Sequence, residues 1–462
     1  MTKCDLVIRN GEIVTTAGSV GRADIGVLGD IIVQIGGELE GQVELDATGK
    51  LVIPGGIDAH VHLSSPPSPQ PVEPRWVDDF TSGSAAALAG GITTLGNMTF
   101  PAEGELPLAS IKRDEAIARE QTIADLFFHP VLTDITSELL DNIPNLFDAG
   151  CNTIKFFTVF SSFDAQIQGY MEAMRRADTL GMLTLIHCED YMSIKDATER
   201  LTEAGKTSLR YYPESRPVTS EVVATQRAVA FAEETGAPVY IVHLSSAEAL
   251  DVCAKAQARN VPVYVETRPL YLHLTRERFE DDDGAKYVGQ PPLREQSDVD
   301  ALWKGLKDGT IHTVCTDHAP WSLAAKLDRS HDINNLRPGV ANLQTMLPML
   351  YSEGVRSGRI SLGRFVELIS TNTAKLFGLF PRKGTIAIGS DADLVIFDPD
   401  LTLTVNASML KSNSDYSAFD GWEVTGWPVV TLRRGEIVFQ EGEVVGQSGS
   451  GQIVNRSRTQ LL

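Results

Sequence analysis

The sequence predicts an α/β protein, a (β/α)8 TIM-like barrel carrying a small β-sandwich domain formed by both termini. Three observations lead there. Eight short apolar runs alternate with helix-like stretches through the middle of the chain. The two ends share a different character, short β segments with tight turns. The 462 residues exceed a bare barrel, which needs roughly 250, by enough for one smaller unit.

At the start, DLVIRNGEIVT reads as two short strands paired across an Asn10-Gly11 hairpin turn. Near the end, ADLVIFDPD and VVTLRRGEIVFQEGEVV have the same style. Residues 1–53 and 384–450 are therefore expected to form one β-sandwich domain, 54–383 an inserted barrel, and 451–462 an extended C-terminal tail. The barrel strands are expected at 57–62, 93–98, 125–132, 153–157, 183–187, 239–244, 262–266 and 311–316, with helices such as 79–90, 164–180, 218–235 and 246–258 between them. The 218–235 segment has Thr219 or Ser220 as a candidate cap and Gly236 with Pro238 as a stop. Apolar strands alternating with helices imply parallel strands buried on both faces.

Composition narrows the function classes. A hydrophobic content of 42% with 22% charged residues suits a folded globular protein. A net charge of −21 argues against nucleic-acid partners and against anionic membrane surfaces, because both need a basic face. The five cysteines are widely spaced without a CxxC pair, which disfavours a structural zinc site. The first residues lack the pattern of a secretory leader, and nowhere do 18 apolar residues run together. A reducing, cytoplasmic setting is expected.

The chemistry-bearing residues fall at strand ends. His60 and His62, in GGIDAHVHL, share one face of the first barrel strand. Lys155 lies in the fourth, His187 ends the fifth, His243 stands near the end of the sixth, and Asp317 follows the eighth. All six should meet on the C-terminal rim, where barrel enzymes keep their active sites. An HxH pair alone is a weak signal, since a buried histidine is commonly a core residue. Four of nine histidines at the ends of three strands, with an aspartate, make a nitrogen-and-carboxylate cage for zinc or a similar divalent ion. Lys155 alone would be read as half of a buried ion pair. Among metal ligands it reads instead as a desolvated, neutral amine able to take up carbon dioxide as N6-carboxylysine and bridge two metals.

With these residues in place, the chain resembles the dihydropyrimidinase and hydantoinase branch of the amidohydrolase superfamily. The likeness runs through LVIPGGIDAHVHL, NTIKFF, LTLIHCED, YIVHLSSAEAL, YVGQPPLRE, TDHAP and KGTIAIGSDADLVIFDP. It implies two divalent metal ions, zinc being the expected pair, with His60, His62 and Asp317 on the more buried one, His187 and His243 on the other, and carboxylated Lys155 bridging. It implies that a metal-bridging hydroxide opens a hydantoin- or dihydropyrimidine-type ring, with Asp317 as proton carrier, in a homo-oligomer, a tetramer or a dimer. His318 would support the site or merely pack.

Three positions depart from that family and fall on its substrate contacts. Phe160 stands where a tyrosine would donate to the oxyanion, with Thr158, Ser161 and Ser162 as nearby substitutes. Gln290 replaces a serine, and Pro338-Gly339 replaces Asn-Gly. Pro338 keeps a carbonyl but has no N–H. Phe156, Phe157, Phe160 and Phe163 could wall an apolar pocket, Phe157 being the first to assign to packing, and the Pro-rich 64–76 stretch could form a lid. The alternatives are an allantoinase, a cyclic imide hydrolase or a non-catalytic scaffold. A dihydroorotase is disfavoured because Ser64-Ser65 follow HVHL where an arginine is expected.

Overall fold

The computed structural model describes residues 2–64 and 76–462. The Pro-rich stretch proposed as a lid lies almost wholly outside the described residues, with only Ser64 and Trp76 inside them.

Eight parallel strands form the barrel, in chain order around it: Gly56–Val61, Ile92–Thr99, Asp125–Pro130, Thr153–Phe157, Leu183–His187, Val239–Ile241, Val263–Thr267 and Thr313–Val314. The third and fourth are joined by a parallel bridge, Val131 to Lys155. The ring closes where Val61 bridges His318 and the His62 N–H donates to the His318 carbonyl at 2.9 Å. Each run expected to be a strand holds one, and the seventh lies one residue further on than read. The sixth and eighth are shorter than read because their ends bend away to carry His243 and Asp317. Helices fill the crossovers, Val218–Thr235 matching its predicted span. Its N-cap is Pro217 rather than Thr219 or Ser220, and the Ser220 hydroxyl donates back to the Pro217 carbonyl at 2.8 Å. Proline suits this place because it has no N–H to leave unpaired.

Both chain ends build two further sheets. The four-stranded one orders Ile31–Ile35, Ile25–Leu28, Thr2–Arg9 and Leu39–Asp46. The seven-stranded one includes Glu12–Thr15, Leu51–Pro54, Leu394–Thr404 and Glu423–Arg433. The expected Asn10-Gly11 hairpin does not form. Thr2–Arg9 and Glu12–Thr15 sit in different sheets, and the turn is a crossing point between them. Asn10 takes a φ of 62°, its N–H held by Asp24 and its side chain by Asp46. An Asn-Gly pair supplies left-handed backbone equally well to a corner and to a hairpin.

The last residues run without helix or strand and pack against the barrel end opposite the site. Ile453 bridges Leu126, and Arg456 is buried with its guanidinium on the Phe128 carbonyl and Thr153 hydroxyl. No helix among the described residues is long and apolar enough to cross a membrane.

Candidate active site

The six predicted side chains converge at the C-terminal mouth of the barrel. His62 Nε2 lies 3.0 Å and His60 Nε2 3.3 Å from Asp317 Oδ1. Across from them His187 Nδ1 faces His243 Nε2 at 3.0 Å. The His60 and His243 rings stack with centroids 5.4 Å apart, which brings the two groups together. His243 and Asp317 have φ of 39° and 50°, a region that non-glycine residues seldom adopt. Such strain persists only where the surroundings hold it. The His243 N–H is fixed by Glu266 at 2.8 Å and Asp317 Oδ2 by Arg268 at 2.8 Å.

Lys155 is fully buried, and its Nζ has no hydrogen-bond partner among the described residues. It is therefore not half of a buried ion pair among the described residues, and its Nζ stands over the Phe157 ring, 4.9 Å from the centroid. Burial pushes the amine down to about 8, while Glu266 and Asp317 pull it partway back. Burial also pushes the His62, His187 and His243 imidazoles below their ordinary value, favouring the neutral form that ligates metal. For Asp317 burial acts upward, but Arg268, His60 and His62 outweigh it and hold the carboxyl well below its usual range.

Behind the cage stands a layer that the sequence reading did not single out. Glu266 Oε1 accepts from His60 Nδ1 at 2.8 Å, and Oε2 accepts from the Tyr240 hydroxyl at 2.9 Å. Glu189 accepts from His187 Nε2 at 2.9 Å and is gripped by Arg216 through two bonds of 2.9 and 2.6 Å. Asp58 ties the first strand to the eighth by accepting from the His60 and Thr316 N–H groups. The criterion that flagged Lys155, a charge inside an apolar strand, applies equally to Glu266 in PVYVE. His318 is buried and bonded on both ring nitrogens: its Nε2 meets Asp78 at 2.7 Å and its Nδ1 accepts the Asn342 N–H.

A cleft of about 190 Å³ opens over the cage, with Phe160, Gln290 and Pro338 in its lining beside Trp76, Phe100 and Phe157. Phe157 thus faces the cleft, contrary to its assignment to packing, and stacks on the His187 ring at 5.3 Å. Phe156 and Phe163 are the packing residues, both buried against Tyr170. Thr158 is not a substitute donor, because its hydroxyl is engaged by the His187 and Glu189 carbonyls. Neither Ser161 nor Ser162 lines the cleft. The Pro338 carbonyl already accepts the Trp321 indole N–H at 2.7 Å.

These residues fit a pair of divalent cations. One ligand atom from each of His60, His62 and Asp317 lies within 4.8 Å of the others. Lys155 Nζ is buried without a hydrogen-bond partner among the described residues. Two imidazole nitrogens facing each other at 3.0 Å are what a shared cation would draw together.

The profile described as the amidohydrolase family matches residues 51–438. A D-hydantoinase of Ralstonia pickettii is 35% identical over 460 residues, covering 98% of this chain and 99% of that one. A D-phenylhydantoinase of Escherichia coli is 36% identical over 457 residues, 98% of each. Among solved structures, a D-hydantoinase from Bacillus sp. AR9 superposes with a TM-score of 0.93 at 38% identity, covering 98% of this chain and 99% of that one. The dihydropyrimidinase of Brevibacillus agri gives 0.93 at 36%, with the same coverage.

Proposed function

This chain belongs to the amidohydrolase family, and we propose that it is a two-metal hydrolase that opens a hydantoin- or dihydropyrimidine-type ring at a C–N bond. The observation that carries this reading is the convergence of His60, His62, Lys155, His187, His243 and Asp317 under one apolar cleft. His60, His62 and Asp317 would hold one ion, His187 and His243 the other, and Lys155, as N6-carboxylysine, both. Zinc suits this nitrogen-and-oxygen set. When bound, such ions supply Lewis acidity, polarising a carbonyl and bringing a water pKa to about 7.

The chain's own groups do the rest. Asp317 takes the proton of the attacking water and returns it to the ring nitrogen as the C–N bond breaks, leaving an N-carbamoyl or similar acid. Arg268 on Oδ2 keeps this carboxylate charged and turned so that Oδ1 faces His60 and His62. Glu266 and Glu189 fix the tautomers of His60 and His187. Trp76, Phe100, Phe157 and Phe160 exclude water from one side of the ring, while Gln290 and Pro338 border the other contacts. Residues 1–53 and 384–450 would form the supporting sandwich unit, and 54–383 the catalytic barrel. A cytoplasmic homo-oligomer accords with the family and with the five unpaired cysteines.

Phe160 favours a second reading. With no hydroxyl there, allantoin or a cyclic imide becomes a competing substrate. Incubating zinc- and bicarbonate-loaded protein with hydantoin, dihydrouracil, allantoin and succinimide, and following ring opening, separates these. We expect turnover of hydantoin or dihydrouracil. Protein that binds no metal and carries an unmodified Lys155 by mass spectrometry would refute the hydrolase assignment.

A further inference from the structure

Lys326 ends the short helix Leu323–Lys326 and is 3% exposed. Its Nζ donates to three backbone carbonyls, those of Val288 at 2.8 Å, Arg337 at 2.7 Å and Gly339 at 2.9 Å. No carboxylate pairs with it among the described residues. A carbonyl oxygen can only accept, so three such contacts call for the three N–H groups of an ammonium. Burial and then the Arg268 charge push the amine down, and among the described residues it is the three carbonyls that favour the protonated form.

The carbonyls belong to two segments far apart in sequence, and both border the cleft. One leads into Gln290; the other holds Pro338 and Gly339. They also meet directly, the Gly339 N–H donating to the Val288 carbonyl at 3.0 Å. Gly339 has a φ of 123°, and a Cβ there would lie 2.2 Å from the Ala319 carbonyl oxygen, so the second segment is pressed against the chain just after Asp317. The Trp321 indole holds Pro338 from the same side.

We propose that Lys326 is a positioning residue for substrate binding. Its ammonium clamps the 288–290 and 337–339 segments into one rim, setting the spacing between the backbone at Gln290 and at Pro338–Gly339 across which the ring must fit. This rests on the ring-opening reading of the cleft. The three hydrogen bonds of Lys326 go to the rim backbone and none to His60, His62, Lys155, His187, His243 or Asp317, so it governs how the ring is held and not how it is broken. Removing it should weaken binding of ground state and transition state alike.

The test compares metal-loaded wild type, Lys326→Ala and Lys326→Arg on whichever ring substrate the wild type opens. Lys326→Ala should raise KM by about 10-fold with kcat changed less than about 2-fold and metal content unaltered. Propylammonium should restore KM saturably, and propanol should not. Lys326→Arg, which keeps charge and donors in a different geometry, should fall between and serves where the alanine variant does not fold. Amide exchange gives an arm independent of turnover: the Gly339 N–H should exchange faster in Lys326→Ala while barrel-strand amides hold their rate. An unchanged KM, a fall in kcat together with metal content, or rescue by propanol would overturn the proposal. If wild type opens no ring, the functional reading fails, and unaltered exchange at Gly339 would still overturn the clamp.

Discussion

Glu266 offers the sharpest perturbation because its three hydrogen bonds divide cleanly into charge and geometry. Oε1 accepts from His60 Nδ1 and the His243 N–H, each at 2.8 Å; Oε2 accepts from Tyr240, whose oxygen also lies 2.6 Å from the Thr313 hydroxyl. In Glu266→Gln the amide oxygen can keep both Oε1 bonds. The amide N–H can then donate to Tyr240, which turns its own hydrogen to Thr313. Only the charge is lost, and metal affinity should fall by about 10-fold, the low end for a residue that orients a ligand. In Glu266→Leu nothing holds the His60 proton on Nδ1. The proton can move to Nε2, the nitrogen that faces Asp317, and that nitrogen then has no lone pair for a metal. The His243 N–H is orphaned as well, at about 1–3 kcal/mol of stability. Metal affinity should fall by about 100-fold. Competition titration against a zinc chelator, with denaturant unfolding of the metal-free proteins, reads both effects. If the two variants retain zinc as well as the wild type does, the inference that Glu266 sets the His60 tautomer is wrong.

Phe160→Tyr would restore a hydroxyl at the cleft and should raise kcat on hydantoins by up to about 10²–10³; an unchanged or lower kcat would mean the oxyanion is served elsewhere. Lys155→Ala should abolish activity and bimetal loading, with partial recovery in millimolar acetate or propionate, whose carboxylate can stand in for the carbamate; loading without any such additive would refute the bridging role. His312 is held down to about 4, chiefly by burial and further by Arg364. A histidine depressed on folding contributes stability above its unfolded pKa of about 6.5 that is lost as pH falls towards 4, roughly 3 kcal/mol at about 1.4 kcal/mol per pH unit. Denaturant midpoints measured from pH 7 to 4.5 should fall less steeply in His312→Asn than in wild type, and equal slopes would count against this.

The barrel, and the meeting of the six side chains at its mouth, could be read from the sequence because both depend on local signals. A buried parallel strand announces itself as an apolar run, and a histidine or lysine at its end is conspicuous against that background. The Asn10-Gly11 hairpin could not be judged the same way. The dipeptide specifies a left-handed turn, but whether the next strand pairs back or enters another sheet depends on residues such as Asp24 and Asp46, distant in sequence, that seize Asn10. Phe157 and Phe156 show the same limit within one strand. Alternation puts them on opposite faces, yet only the closed ring decides which face meets the cleft and which meets Tyr170.

The supporting layer was hidden for a different reason. Arg268 and Lys326 carry no motif, and Glu189 and Glu266 give no sign of their role, because what these residues do is satisfy groups brought to them by folding: an imidazole N–H, a carboxylate oxygen, three carbonyls. A residue that binds a metal must be of a particular type in a particular pattern. A residue that steadies a ligand needs only to be charged, buried and in reach, and reach is set by the whole chain. It follows, on the two-metal reading, that substitutions in this outer layer should separate metal retention, substrate affinity and turnover more finely than substitutions in the cage, where removing any one of the six side chains should disturb all three.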